Sequence, residues 1–324
     1  MCTYNGARYL PEQLESIAAQ TCSPFELVVC DDGSSDETTQ IIADFAASVP
    51  FPVDLHINKQ KLGSTKNFAR AIGLCDGDVI ALSDHDDIWL PEKLDLIADA
   101  FQRQPGVGLV FSDAEVIDEN GNPAGYSLWE KLSISRAELE RLQKGAGVNE
   151  LLQGATITGA TMAFRTRYRE LFLPIPDDLA LIHDAWIAIL VAAVADVLPL
   201  SSRLVRYRQH ASQQVGARER QTDKGGVVAG MRRETSFREL SEIGMRVQQR
   251  LLEHPADYDS ADALSALSAR LGHLQIRAKL PAGAWSRFTC VMKELLTGRY
   301  HRYSRGLFSA AKDLLRKGED NPLS

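Results

Sequence analysis

The stretch ALSDHDDIWLPEKL, residues 81–94, decides our interpretation of both fold and site. An apolar run typical of a buried strand ends at Ser83, and four ionisable side chains follow it directly: Asp84, His85, Asp86 and Asp87. We call Asp84, Asp86 and Asp87 the acidic cluster. Like charges this close repel one another, and removing them from water costs several kcal/mol. We therefore expect something positive beside the acidic cluster.

Strands and helices alternate around this stretch through roughly the first 110 residues of the chain. The pattern predicts strands at 25–30, 53–57, 78–83 and 107–118. It predicts helices at 8–20, from Ser34 onward, at 63–74 and at 91–101, and Ser34 with Glu37 has the spacing of a capping box. Alternation of this kind favours an α/β fold with a parallel, doubly wound sheet.

The pattern changes in the second half of the chain. We predict a strand at 159–164, a helix at 183–196 and a strand or its exit loop at 203–210. The charged, glycine-containing stretch 217–235 is typical of a linker or mobile loop, and the period is helical from there to the end. We therefore divide the chain into an α/β domain over 1–216 and a helical extension over 217–324.

The composition argues against a nucleic-acid-binding protein and against a membrane-spanning protein. The 324 residues are 44% hydrophobic and carry a net charge of −7, which argues against nucleic acid as a partner. The five cysteines form no CxxC pair and indicate a reducing compartment. No apolar run reaches the ~18 residues that suggest a membrane span, and there is no signal peptide. We expect a cytoplasmic protein.

A second acidic pair, Asp31 and Asp32, follows the strand at 25–30. In a parallel sheet both acidic groups would emerge at the same edge, where ligands bind. Carboxylates gathered there, with His85 nearby, suit a hard divalent cation that keeps phosphate oxygens in its shell. The alternative is that these aspartates only cap helices and turns. The sequence has neither a GxGxxG nor a GxxxxGK[ST] motif, so a glycine-rich phosphate loop is disfavoured.

Several segments together resemble the family 2 inverting glycosyltransferases, which have the GT-A fold. The segments are CTYNGARYLPEQLESI, VVCDDGSSDET, SDHDDIWLPEKL, HDAW and YRQH, and the resemblance covers about residues 1–215. It implies a Rossmann-like, doubly wound mixed sheet. It is strongest to bacterial rhamnosyltransferase-like members, which build O-antigen and other surface polysaccharides. It therefore implies transfer of a sugar, L-rhamnose at the subfamily level, from a dTDP- or UDP-sugar to a lipid-linked saccharide.

The resemblance also implies residue roles on the donor side. Thr3 and Tyr4 would lie against the nucleotide base, Asp31 would accept a hydrogen bond from the base, and Asp32 would order that loop. Lys66 would meet the diphosphate, although the segment between Gly63 and Lys66 is shorter than in the common pattern.

The implied cofactor is Mg²⁺ or Mn²⁺, with Asp86 as the main ligand. Asp84 would lie near the ribose and the metal, and His210 would reach the metal or the leaving diphosphate. Asp184 matches the catalytic base, and its place at the start of a predicted helix favours its charged form. The alternatives are that Asp184 is only a helix cap and that His210 is structural. We expect Trp89 in the core, and Trp186 suits either the core or a sugar-stacking surface.

The chain departs from the family pattern at its start, because Met1 runs directly into CTYNG where family members have an apolar strand. We expect the first strand of the sheet to be missing and the true start to lie upstream. The main alternative function is therefore a non-catalytic nucleotide-sugar-binding or scaffold protein. A metal-dependent phosphohydrolase is disfavoured, because the chain has no DxDx[TV] stretch.

The segment 285–317 mixes large apolar residues with eight Lys or Arg and only two acidic residues. This composition suits helices that lie on an anionic membrane surface, such as the inner face of the plasma membrane. The alternative is that the apolar face packs inward and the basic face is solvated.

Overall fold

The computed structural model describes residues 1–153, 157–179, 181–211, 237–304 and 306–315. The chain forms two compact units, which we describe separately. Unit 1 comprises Met1–Gly147 and Thr156–Arg220, and unit 2 comprises Val148–Ala155 and Gln221–Ser324. The linker predicted at 217–235 lies outside the described residues.

Unit 1 contains two sheets. Their strands are β1 (Cys2–Thr3), β2 (Leu27–Asp31), β3 (Val53–Ile57), β4 (Val79–Ala81), β5 (Ile88–Trp89), β6 (Val107–Ile117), β7 (Pro123–Ser127), β8 (Met162–Arg165) and β9 (Asp196–Arg208). The first sheet is parallel, with the order β1-β2-β3. The second has the order β4-β8-β6-β9-β5, with β7 paired to β6, and only its β6–β9 pair is parallel. The predicted α/β architecture with a mixed sheet is confirmed.

The first strand is present only as the two-residue strand β1. Cys2 pairs with Cys30 of β2, and the amino group of Met1 donates to the carbonyl of Val28 at 2.7 Å. The backbone N–H of Cys2 donates to the carbonyl of Ser83 at 3.2 Å. β1 therefore lies between β2 and the chain that follows β4, and it brings both acidic segments to the same edge.

The helices of the described chain are α1 (Leu10–Ala18), α2 (Thr38–Ala46), α3 (Ser64–Leu74), α4 (Lys93–Arg103), α5 (Leu128–Leu132), α6 (Arg136–Arg141), α7 (Gly147–Leu152), α8 (Arg169–Phe172), α9 (His183–Ala192), α10 (Phe237–Glu253), α11 (Ala261–Ala278), α12 (Ala284–Leu296), α13 (Arg299–Tyr303) and α14 (Leu307–Leu315). The last five belong to unit 2 and form the predicted helical region.

In unit 1 the apolar faces of the helices pack against the sheets. Leu10, Leu14 and Ile17 of α1 are almost completely buried and belong to one core cluster with Val29 and Val205. Each such side chain contributes about 1.5–3 kcal/mol by its removal from water. Trp89 and Trp186 are also buried, so Trp89 is in the core as expected and Trp186 is a core residue too.

Several predicted elements differ from the structure in their boundaries, and the strand predicted at 159–164 begins only at Met162. α2 begins at Thr38, and the predicted capping box from Ser34 is absent, because the Ser34 hydroxyl donates to Asp31. α9 ends at Ala192, and β9 begins at Asp196 rather than 203. The chain turns at 193–195, and pairing with β6 extends the strand back from 203 to Asp196.

Candidate active site

Asp31, the last residue of β2, organises the turn that follows it. Its Oδ1 accepts hydrogen bonds from the N–H of Ser34 at 2.8 Å and of Gly33 at 3.1 Å. Its Oδ2 accepts from the hydroxyl of Thr3 at 2.7 Å. Gly33 has φ of 79°, a conformation that glycine adopts without strain. Two of the predicted donor-binding residues, Thr3 and Asp31, are therefore in direct contact.

Asp32 points to a different loop. Its Oδ1 accepts from the side-chain amide of Asn58 at 2.9 Å and from the N–H of Leu62 at 2.7 Å, and its Oδ2 accepts from the N–H of Gly63 at 2.8 Å. These bonds order the loop between β3 and α3. Asn58 also bonds Asn67 and Arg70, a polar network that the sequence analysis did not single out.

Two further predicted donor-binding residues lie nearer the surface. Tyr4 is half-buried, and the ammonium group of Lys61 lies 3.5 Å from the centre of its ring. Lys66 is exposed and forms an ion pair with Asp177. The hydrogen bond and the charge of Lys66 hold the pKa of Asp177 below its usual range. The charge of Lys66 is thus directed to Asp177 in this structure.

The members of the acidic cluster differ in their proton affinities. Burial, together with the nearby charges of Asp86 and Asp184, raises the pKa of Asp84 to about 7. Burial also raises the pKa of Asp87 well above its usual value. One oxygen of Asp87 accepts from the N–H of Arg208 at 2.9 Å, and the other is buried without a hydrogen-bond partner. The cluster is therefore short of positive partners.

Asp86 differs from its neighbours because its carboxylate has a histidine side chain as a hydrogen-bond partner. Burial alone would raise its pKa, but the hydrogen bond from His210 and the nearby His85 lower it below the usual value. Nε2 of His210 lies 2.9 Å from Oδ2 of Asp86, and the ring of His210 packs on Tyr9 at 4.8 Å. The structure thus brings together two of the residues predicted to bind metal.

A buried lysine lies behind the acidic cluster. Lys93 is fully buried in α4, its Nζ donates to the carbonyl of Ala160 at 2.8 Å, and it lies 3.8 Å from the ring centre of Trp89. Burial lowers the pKa of Lys93 to about 7, against the opposing charges of Asp87 and Asp84. The sequence analysis predicted a positive partner for the acidic cluster, and Lys93 is one such partner.

The sequence analysis missed Lys93, although a signal was present. The buried face of α4 consists of Lys93, Ile97, Ala100 and Phe101, so a lysine occupies a core position of an amphipathic helix. Arg208 was missed in the same way. It is 1% exposed, its Nε donates to the backbone carbonyl of Asp86 at 2.8 Å, and it pairs with Glu12.

We expect Lys93→Met to lower the free energy of unfolding by about 3 kcal/mol, because it leaves buried carboxylates without their cation. Urea denaturation measures this loss. The exposed Lys59→Met serves as the matched control. Adding Asp87→Asn to Lys93→Met is expected to recover part of the stability. A loss no larger than that of the control would contradict a role of Lys93 as counter-ion.

Asp184 begins α9 and is buried. Its Oδ2 accepts from the N–H of Gly159 at 3.1 Å, and its Oδ1 accepts from the N–H of Ala185 at 2.6 Å. These bonds favour the charged form, as expected at a helix start, but burial is the larger effect and raises the pKa of Asp184 to about 6. The charge of Asp184 also contributes to the raised pKa of Asp84, so the two carboxylates lie near each other.

The turn 159–161 connects Asp184 to the acidic cluster. Gly159 binds Asp184, and the carbonyl of the next residue, Ala160, accepts from Lys93. His183 stacks on Phe68 with ring centres 4.1 Å apart, and burial lowers its pKa to about 4. Asp184 is thus next to the neutral imidazole ring of His183. It also contacts a backbone turn that hydrogen bonds with both Asp184 and Lys93 hold in place.

Asp84, Asp86 and His210 fit a divalent cation by their chemistry, since carboxylate oxygen and imidazole nitrogen are common ligands. A cation would also stabilise the ionised form of Asp84, whose buried carboxyl group has a raised pKa. Within the described ranges, no three His, Cys, Asp or Glu side chains have the spacing of a preformed metal site. Binding a cation would replace the hydrogen bond between His210 and Asp86.

The fold and this site define a class of protein, the GT-A type, in which carboxylates gather where strands of an α/β sheet end. The family model described as glycosyl transferase family 2 matches residues 1–172, more than half of the chain. The chain therefore belongs to glycosyl transferase family 2, and the predicted family is confirmed.

Curated relatives match a shorter part of the chain. An uncharacterized glycosyltransferase of Nostoc sp. is 36% identical over 117 residues, which cover 36% of each chain. The dTDP-rhamnosyl transferase RfbG of Shigella flexneri is 35% identical over 124 residues, 37% of this chain and 40% of that protein. Chondroitin synthase of Escherichia coli is 32% identical over 119 residues, 37% of this chain and 17% of that protein. The chain thus spans less than half the length of these relatives.

A solved structure supports the fold along nearly the whole chain. The S. aureus protein TarS, residues 1–349, in complex with UDP-GlcNAc superposes with a TM-score of 0.55 at 17% identity. The superposition covers 97% of this chain and 86% of that one. The GT-A fold is therefore confirmed.

Proposed function

We propose that the chain is an inverting, metal-dependent glycosyltransferase. In this proposal it transfers L-rhamnose from a nucleoside-diphosphate sugar to a saccharide acceptor during the synthesis of a cell-surface polysaccharide. The observation that carries the proposal is Asp184, a buried carboxylate that lies near the acidic cluster and accepts from two backbone N–H groups at the start of α9. Burial raises its pKa to about 6. A carboxylate with this pKa is ionised at neutral pH and is a stronger base than an exposed aspartate.

The reaction needs one base and one leaving group. The carboxylate of Asp184 takes the proton of the acceptor hydroxyl while the acceptor oxygen bonds to the anomeric carbon of the donor sugar. The bond from that carbon to the diphosphate oxygen breaks, and the nucleoside diphosphate leaves with the bonding electrons. Attack on the face opposite to the leaving group inverts the anomeric configuration.

The donor would occupy the edge formed by β1, β2 and the chain after β4. Thr3, Tyr4 and Asp31 would hold the base, Asp32 would keep the neighbouring loop in place, and Lys66 would exchange Asp177 for the diphosphate. Asp84, Asp86 and His210 would hold the Mg²⁺ or Mn²⁺ ion. When bound, that ion supplies the positive charge that stabilises the departing diphosphate.

The choice of sugar rests on similarity. The relative from Shigella flexneri is named as a dTDP-rhamnosyl transferase, and its match covers 37% of this chain. Rhamnose on dTDP is therefore the first donor to test, with UDP-sugars second. A lipid-linked saccharide is the acceptor that the resemblance implies.

The alternative of an inactive scaffold depended on a lost first strand. In the structure, β1 pairs with β2, and the N–H of Asp32 donates to the carbonyl of Thr3 at 2.9 Å. Thr3 thus belongs to a hydrogen-bonded strand and Tyr4 follows it directly. No observation favours the scaffold over the enzyme.

We expect transfer to fall as the pH drops below about 6, because the pKa of Asp184 lies there and only its ionised form accepts a proton. Above that pH the carboxylate is charged, and the rate levels off. A profile of kcat against pH with saturating donor checks this expectation. A rate that stays constant well below the pKa of Asp184 would contradict its role as the base.

The proposed activity is tested by release of nucleoside diphosphate from a panel of nucleotide sugars that includes dTDP-rhamnose. Reactions run with Mg²⁺, with Mn²⁺ and with EDTA, and a crude lipid-linked oligosaccharide fraction serves as acceptor. The proposal predicts turnover of one donor that EDTA abolishes. Tight binding of a nucleotide sugar without turnover would instead favour the scaffold.

A further inference from the structure

Helix α12 of unit 2 presents an apolar face to solvent. Four residues spaced three or four apart form this face: Trp285, Phe288, Met292 and Leu296. Trp285 is 77% exposed and Leu296 is 82% exposed. The rings of Trp285 and Phe288 stack on each other with centres 5.8 Å apart. An amphipathic helix of a soluble protein normally buries such a face.

Helix α14 repeats this arrangement. Its exposed side carries Leu307, Phe308 and Leu315, which are 65%, 60% and 82% exposed. α12 and α14 contribute Val291 and Ala310 to one small core cluster with Tyr300. We call the large apolar residues on these sides of the two helices the apolar stripes: Trp285, Phe288, the half-buried Met292 and Leu296 on α12, and Leu307, Phe308 and Leu315 on α14.

The opposite faces of both helices are polar and buried. Glu294 of α12 is 2% exposed and lies 2.7 Å from His273 of α11. Asp313 of α14 is 3% exposed and pairs with Arg277 of α11 at 2.6 Å. The two helices are thus attached to α11 by a buried hydrogen bond between Glu294 and His273 and by a buried ion pair between Asp313 and Arg277. Buried ion pairs are weak sources of stability, so apolar contacts facing α11 would stabilise unit 2 more.

The charge around the apolar stripes has one sign. Glu294 and Asp313 are the only acidic residues between 284 and 315, and both are buried. The exposed ionisable residues described in this part of the chain include Lys293, Arg302 and Lys312. The exposed surface around the apolar stripes, including Arg302 of α13, therefore combines large apolar side chains with positive charge, and the described residues from 284 to 315 add no exposed acidic side chain.

We propose that the apolar stripes of α12 and α14 dock on the surface of an anionic lipid bilayer. Exposed aromatic and aliphatic residues would enter the interface between headgroups and acyl chains, and the basic residues would meet the anionic headgroups. No helix in the described part of the chain is long and apolar enough to cross a bilayer, so the contact is peripheral. The proposal is independent of the transferase chemistry.

The test is flotation of the full chain with lipid vesicles at low salt. One set of vesicles is pure phosphatidylcholine, and the other contains equal parts of phosphatidylcholine and phosphatidylglycerol. We expect binding to the anionic set that weakens as salt is added. Trp285→Ser combined with Phe288→Ser should abolish it. The matched control is Phe25→Ser, which removes an aromatic side chain of similar exposure, 73%, from unit 1.

Charge is tested separately with Lys293→Gln and Arg302→Gln. Each should weaken binding to anionic vesicles roughly fivefold, the factor that corresponds to ~1 kcal/mol per basic residue near a membrane. Quenching of tryptophan fluorescence by brominated lipid gives a second measurement. Trp285→Phe should keep the protein on the vesicles and remove most of the quenching.

The proposal is overturned if the full chain fails to float with anionic vesicles. It is also overturned if Trp285→Ser with Phe288→Ser floats as well as the Phe25→Ser control. Light scattering tests the main alternative, in which a second copy of the chain docks on the apolar stripes. If the chain forms a dimer that this double variant dissociates, and the chain binds no vesicles, the apolar stripes are a contact between two copies instead.

Discussion

Replacing Asp184 with asparagine is expected to lower kcat about a thousandfold, within the range that a positioned general base contributes. The asparagine side chain occupies nearly the same volume and can still accept a hydrogen bond from Gly159 or Ala185, so the turn that surrounds it should persist. It cannot take a proton from the acceptor. Asp184 makes no hydrogen bond to Asp31 or Thr3 in the structure, so the affinity for the nucleotide sugar should not change.

The measurement is steady-state transfer, together with calorimetric titration of the donor in the absence of acceptor. Asp262→Asn, an exposed aspartate of α11, is the matched control and should behave as wild type. A loss in kcat below about tenfold would contradict general-base catalysis by Asp184. A loss of donor affinity that accounts for the whole effect would assign Asp184 to binding instead.

Asp86→Ala is expected to abolish metal-dependent turnover, with a loss of about a thousandfold or more. The substitution removes the carboxylate that we propose as the main metal ligand, and the ion contributes several kcal/mol of charge stabilisation. It also leaves His210 without the partner that lies 2.9 Å away. Titration of Mn²⁺ followed by electron paramagnetic resonance should detect bound metal in the wild type and little in the variant.

The matched control for Asp86→Ala is Asp95→Ala, an exposed aspartate in the first turn of α4. This control should keep both its metal affinity and its rate. If Asp86→Ala binds Mn²⁺ as tightly as wild type, the proposed ligand assignment is wrong. If wild-type turnover is unaffected by EDTA, the metal requirement itself is wrong.

Much of the fold could be predicted from the sequence because local pattern and tertiary packing agree there. β3 occupies 53–57 as predicted, and β6 begins at Val107 as predicted. The start of α2 could not be predicted. Ser34 and Glu37 have the spacing of a capping box, but the Ser34 hydroxyl is used to bind Asp31 instead. One local motif was thus overruled by another, the turn in which Ser34 donates to Asp31 three residues earlier.

The site could also be predicted only in part. Motif positions identified Asp31, Asp86, His210 and Asp184, and the structure pairs His210 with Asp86. The roles of these residues remain proposals. The buried basic residues Lys93 and Arg208 were missed. The role of a charged residue in a core depends on its partners, and these are distant in sequence. Arg208 contacts Glu12 and Asp86, which are 196 and 122 positions away.

The central claim is that Asp184 activates an acceptor hydroxyl for direct attack on the donor sugar. The most direct test is the anomeric configuration of the transferred sugar, read by nuclear magnetic resonance from the product formed with the donor that the panel identifies. The account predicts a product with the configuration opposite to that of the donor. A product that retains the donor configuration would contradict it, because retention does not arise from a single direct displacement.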